Sequence, residues 1–167
     1  MSESNIIPSP LSAPEVELIN LDILENVLSF YIRVIDYSLS RDLDERLKKL
    51  EVARGKGKIT ALLIIDSHPG IRPSVVAKLT MKDRSAMGRI LDNFERHHLI
   101  TRKASENDGR VQELFITKKG AEMATKVRSI VIEQSERFFD VIIPHEEQAQ
   151  LMGILKRAYI RLQEVKE

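Results

Sequence analysis

The sequence predicts a mainly α protein with a small β-hairpin wing, and three observations carry that expectation. Two amphipathic helical stretches follow one another closely between Pro73 and His97. Two β-prone runs flank an Asp-Gly pair immediately after them. Long helical segments with apolar stripes stand at both ends of the chain. Two helices followed by a two-stranded wing describe a winged helix-turn-helix module, set between long N- and C-terminal helices.

Taken in order, residues 1–20 hold Pro8, Pro10 and Pro14 among serines, which preclude a continuous helix. This segment is either a disordered tail or, through Ile6, Ile7 and Leu11, an arm lying across a partner subunit. Residues 21–50 read as one long helix, with Leu24, Leu28, Tyr31 and Ile35 on a stripe widened by Val27, Val34 and Leu39. Arg54-Gly-Lys-Gly-Lys58 breaks the pattern and reads as a plain connector or a phosphate-touching loop, and it is not a nucleotide-binding loop because it has neither glycine spacing of that kind. Residues 59–66 are nearly all apolar and predict a buried supporting helix that stops at Ser67-His-Pro-Gly70.

After Pro73, residues 74–80 form a short amphipathic helix and residues 82–97 a longer one. Met87, Ile90, Leu91 and Phe94 recur at core spacing, while Ser85, Gly88, Arg89, Asp92 and Arg96 share the opposite face. Ser85, Ala86 and Gly88 are short, so the start of this helix can approach a major-groove floor closely and Arg89 can reach a guanine edge. Arg72, Ser74, Lys82 and Arg84 are then positioned for phosphates. Residues 99–104 and 111–117 are β-prone, and the glycine of Asp108-Gly109 suits the positive φ of a tight hairpin turn. Arg110 at the tip, beside Arg102 and Lys103, suits phosphate or minor-groove contact. From Arg72 to Arg110 nine basic residues face five acidic ones, a net +4 in a chain of net +1. Positive charge gathers where a polyanion would dock.

Residues 120–143 predict the next long helix, with Ala124, Val127, Val131 and Phe138 on one stripe and Pro144 at its end. Pro144-His-Glu-Glu147 opens the last helix, where Leu151, Leu155, Ala158, Leu162 and Val165 alternate as a heptad seam. A 167-residue chain has little else against which to bury its end helices. A homodimer through them is the economical solution, and an intramolecular bundle is the alternative. Two recognition helices about one helical turn apart, roughly 10 bp, would read a pseudo-palindromic operator in double-stranded DNA. The expected division is an arm at 1–20, a helical dimerisation region at 21–54 and 120–167, and a winged helix-turn-helix DNA-binding domain at 55–119.

Pro69-Gly-Ile-Arg-Pro-Ser-Val-Val-Ala-Lys-Leu79, Asp83-Arg-Ser-Ala-Met-Gly-Arg89, Asp108-Gly-Arg110 and Leu114-Phe-Ile-Thr-Lys-Lys-Gly120 together resemble the MarR family of bacterial transcription regulators. The resemblance spans roughly residues 62–120. Ala86 and Gly88 stand where that family often has threonines, and His97-His98 replaces its basic residue and glycine. The resemblance implies a homodimeric repressor whose DNA affinity is lowered by a small aromatic or anionic effector. In that family such ligands lie between the dimer helices and the winged module, where this chain offers Phe30, Arg33, Tyr37, Ile65 and His68. Arg33 would meet a carboxylate, and Tyr37 or His68 a phenol.

Composition excludes much else. The chain has no cysteine, which removes disulfides, thiolate metal sites and a cysteine nucleophile. His68, His97, His98 and His145 form no i, i+4 metal pair, and neighbours such as His97 and His98 diverge by about 100° on a helix. No G-x-S-x-G nucleophile signature occurs. The expectation is no catalytic residue, no metal and no cofactor. No apolar run reaches the ~18–20 residues of a membrane span, and the N-terminus lacks a signal-peptide pattern. A cytoplasmic protein without membrane contact is expected. The rival reading is a winged-helix protein-interaction module that binds no nucleic acid. It would need an apolar exposed face on the longer helix, and Ser85, Gly88, Arg89, Asp92 and Arg96 are not that.

Overall fold

The computed structural model describes residues 19–50, 55–106 and 108–165, so the expected arm falls almost wholly outside the described residues. The chain divides into two units, with the boundary between Ser38 and Leu39.

The single helix expected over 21–50 is interrupted, and its longer part crosses the boundary between the two units. Asp22–Asn26 makes one 3-10 turn, Val27 is extended (φ −110°, ψ 101°), and α1 runs over Leu28–Arg46. Local side-chain bonds compete with the helix here. The Asp22 N–H donates to Asn20 Oδ1 (2.7 Å) and the Leu21 N–H to Glu25 Oε1 (3.1 Å), and Asp22 adopts a left-handed φ of 54°. The stripe on α1 is present but uncovered: Leu28 is 75% exposed, and Ile32 and Val34 are about half exposed.

The second unit contains α2 (Lys56–Ser67), α3 (Pro73–Leu79), α4 (Arg84–Arg96), β1 (Ile100–Ala104), β2 (Gln112–Ile116), α5 (Lys118–Ile142) and α6 (His145–Glu164). The connector expected over 54–58 is shorter than that. Gly55 stands at φ 99°, and Lys56, Gly57 and Lys58 already form the first turn of α2. Gly57 leaves space that the Lys82 side chain occupies. Leu62 and Ile65 from α2, Val76 from α3, Met87, Leu91 and Phe94 from α4, and Leu114 from β2 are fully buried together. Ala124 and Val127 of α5 close the same core.

Each boundary has a local cause. Pro73 fills the first position of α3, where its missing N–H is not needed. The Asp83 carboxylate accepts the Ala86 N–H (2.7 Å) and starts α4. At the other end His98 turns left-handed (φ 57°), its N–H donates to Glu95 O (2.9 Å), and the Leu99 N–H donates to Phe94 O (2.9 Å). That is a complete Schellman cap with histidine in the usual glycine position. The strands pair antiparallel from Ile100↔Ile116 to Ala104↔Gln112, and Ile71 bridges to Leu114 on the free edge of β2.

The wing turn corrects the expectation for Gly109. Positive φ among the described glycines occurs at Gly55 and Gly70, not at Gly109. The strands stop too far apart for a two-residue turn, and Asp108 builds the bend instead. Its carboxylate accepts the Arg110 N–H (3.0 Å) and its carbonyl accepts the Val111 N–H (2.8 Å). Thr117 Oγ1 then accepts the Gly120 N–H (3.0 Å) to start α5. Gly120 lies directly against the Leu99 carbonyl, where a side chain would collide. Arg128 ties α5 to Asp66 of α2 (2.6 Å). On α6 the Tyr159 hydroxyl donates to the Leu79 carbonyl (3.0 Å), at the end of α3. α6 buries none of its residues, and Val165 lies one residue past its end, so the heptad seam closes at Leu162. Among the described residues no helix is long and apolar enough to cross a membrane.

Candidate nucleic-acid interface

The exposed face of α4 is the one anticipated from its spacing. Arg84, Ser85, Arg89, Asp92 and Arg96 are exposed, and Gly88 is half-buried with no atom within 4 Å of where a Cβ would stand. Ala86 is half-buried, and its N–H serves the Asp83 cap. That hydrogen bond is the main reason the Asp83 carboxyl lies below its ordinary value of 3.8, with smaller help from the Ser85 N–H and the Arg89 charge against a desolvation penalty.

Arg72, at the N-cap of α3, and Ser74, in its first turn, are both exposed. With Arg84 and Gly88 they line a cleft of about 470 Å³ between α3, α4 and the wing, floored by Met87 and Leu91. Four of the nine anticipated DNA-contacting residues therefore share one concave surface. Lys82 differs in kind, since its stem lies over Gly57 of α2. Arg110 is exposed at the wing tip.

Sequence reasoning missed the state of Arg102. Its Nη2 lies 2.5 Å from Asp92 Oδ1 and its Nη1 3.6 Å from Glu95 Oε2, so β1 is tied to α4 by two carboxylates. Lys103, next along, places its ammonium 5.0 Å from the Phe115 ring centroid, a cation–π contact. The available signal was strand alternation, which sends these two neighbours to opposite faces.

The anticipated effector residues are distributed over the two units. On α1, Phe30 packs edge-on to Tyr31 (centroids 5.2 Å apart), Arg33 Nη1 donates to Ser29 Oγ (3.1 Å), and Tyr37 is 69% exposed. In the second unit Ile65 is fully buried in the core, and exposed His68 has its Nδ1 2.9 Å from Ser67 Oγ. Among the described residues no three histidine or carboxylate side chains gather in a way that could hold a metal ion.

Comparison with known proteins agrees with this geometry. Residues 57–111 match the model of the MarR family. A Thauera aromatica protein assigned as a transcriptional regulatory protein for the hcr operon is 30% identical over 98 residues, 59% of this chain. The chain spans 58% of the length of that relative. The fold is that of the repressor CouR bound to a 23-mer DNA duplex, with a TM-score of 0.74 at 20% identity over 84% of this chain and 98% of that one. CouR from Rhodococcus jostii RHA1 bound to p-coumaroyl-CoA gives a TM-score of 0.71 at 18% identity, over 81% and 94%.

Proposed function

We propose that this chain, whose residues 57–111 match the model of the MarR family, is a homodimeric, sequence-specific DNA-binding transcription regulator. It acts as a repressor in the cytoplasm and has no enzymatic activity. The observation that carries this reading is the open, short-chained face of α4, with Gly88 unobstructed and Arg84 and Arg89 exposed beside it. Ser85, Ala86, Gly88 and Arg89 enter the major groove. Arg72, Ser74, Lys82 and Arg84 hold phosphates, and Arg110 reaches from the wing. Residues 21–54 and 120–167 supply the dimerisation region.

A small aromatic or anionic effector lowers the DNA affinity by favouring a different spacing of the two recognition helices. The ligand-bound neighbour, which carries an aromatic thioester, supports that chemistry. Arg33 and Tyr37 on α1 and His68 after α2 are the candidate polar contacts. Calorimetry with aromatic acids and their coenzyme A thioesters tests this, and absence of heat from the whole panel removes it.

Binding of the purified protein to its own upstream region, against random duplex at two salt concentrations, tests the DNA reading. Selective binding with a steep salt slope is the expected result. Arg89→Ala is expected to cost about 1–3 kcal/mol and relax specificity at one base pair. A uniform loss over all sequences makes Arg89 a phosphate contact instead. If neither operator nor any duplex selected from a random library binds, the protein-interaction reading stands in its place.

A further inference from the structure

The wing carries Arg102 in a position where simple charge counting would assign it to phosphate. The geometry points to a different role, resting on the DNA reading above: Arg102 is a positioning residue that pins the base of the wing to the recognition helix through Asp92 and Glu95, and so fixes where Arg110 lands.

Four observations converge on this. Arg102 pairs across the hairpin with Leu114, and opposite residues share a face. Leu114 is fully buried, so the Arg102 stem rises from the core side of the wing. The guanidinium meets Asp92 at 2.5 Å and Glu95 at 3.6 Å. Its Nε is buried without a partner, which marks a lodged group and not one free to swing into solvent. Asp92 in turn lies on the exposed face of α4 with Ser85, Gly88 and Arg89. The clamp therefore joins the recognition face itself to the strand that leads to the wing tip. It also neutralises a carboxylate that would otherwise confront the DNA backbone. A guanidinium reaching for phosphate would have to abandon both carboxylates and leave them facing a polyanion.

Two measurements test the assignment. The chain has no native cysteine, so Ser85→Cys and Gly109→Cys can carry a pair of spin labels on α4 and the wing tip. Gly109 is suited to this because its Cβ position is open. Labelled full-length protein is diluted into unlabelled protein, so that each assembly reports one intramolecular distance, with no DNA present. A narrow distance distribution is expected, broadened by Arg102→Met and by Asp92→Asn. An unchanged distribution in both variants overturns the clamp. Thermal melts accompany each variant, and Asp92→Asn at its exposed site keeps the test open if Arg102→Met fails to fold.

The second measurement is a double-mutant cycle on operator binding. Arg102→Met and Arg110→Ala are each expected to weaken binding by about tenfold, and the double variant to be no weaker than the worse single one. Losses that multiply make Arg102 an independent DNA contact and overturn the positioning role. Asp92→Asn is expected to weaken binding as well, and tighter binding overturns the role equally. Should the parent protein bind no duplex while its label distances still broaden in Arg102→Met, the DNA reading falls and the clamp stands.

Discussion

Gly88 lies mid-way along α4, and nothing in the fold requires a glycine there: no atom stands within 4 Å of a Cβ at that position. Glycine inside a helix costs about 0.5–1 kcal/mol relative to alanine through backbone entropy. Its place on the recognition face fits close approach of a base. Gly88→Ala is therefore expected to raise thermal stability by about 0.5–1 kcal/mol while weakening operator binding. A stabilised variant with unchanged binding would put the groove floor elsewhere. Asp83 gives a second test with a defined sign. The Ala86 N–H bond holds its folded carboxyl below the ordinary value of 3.8. A depressed carboxyl stabilises the fold fully above its unfolded value and loses that contribution as pH falls through the folded one. Asp83→Asn keeps a capping oxygen without the charge, so its deficit in melting temperature should be present at neutral pH and fade below about pH 4. A deficit independent of pH would separate the cap from the charge. The exposed placement of Ser85 and Arg89 was legible because helical spacing fixes it. Arg102 was not, because its partners lie ten and seven residues back on another element, where charge counting sees only a cation.

At the scale of elements, the amphipathic spacing of α4 and the β-prone runs after it predicted helices and strands that the structure contains. Ends and turns were harder to read, because side chains close them. Residues 21–50 read as one helix by stripe alone, but Asn20 and Glu25 bind the intervening N–H groups and break it before Leu28. The wing turn read as a glycine turn, but the Asp108 side chain and carbonyl shape it. The C-terminus of α4 shows the reverse case, a glycine-type cap formed without glycine. His98 holds φ 57° and places the Leu99 N–H on Phe94 O, with both Leu99 and Phe94 fully buried beneath the cap. An L side chain in the left-handed region costs roughly 1–2 kcal/mol. His98→Gly should therefore stabilise the fold by about 1 kcal/mol in chemical denaturation, after glycine's own entropy is set against that strain. Destabilisation would mean that the His98 side chain makes a contribution beyond its backbone.

For the whole molecule, the decisive fact is what the end helices leave uncovered. Neither α1 nor α6 buries a single residue, and Leu28, Ile32, Leu155 and Leu162 are each at least half exposed. An amphipathic helix that leaves its apolar stripe in water gives up the main source of helix stability in proteins. The sequence foretold the stripes, and the described residues leave them exposed. In the proposed dimer a second copy of the same chain would cover them with the same surfaces on both sides, which is the logic of a two-fold interface. That arrangement would also set two recognition helices on one duplex, so that the second half-site is engaged at high effective concentration. Leu155→Glu together with Leu162→Glu should then convert the protein from dimer to monomer in analytical ultracentrifugation, leaving the core of the winged unit intact, since neither residue belongs to it. Operator affinity should fall by at least about a hundredfold, the scale of avidity lost when two sites become one. Binding to an isolated half-site should change little. A parent protein that sediments as a monomer at the concentrations where it binds its operator would end the dimer reading. A double variant that remains dimeric would move the interface off α6 and leave α1 to carry it.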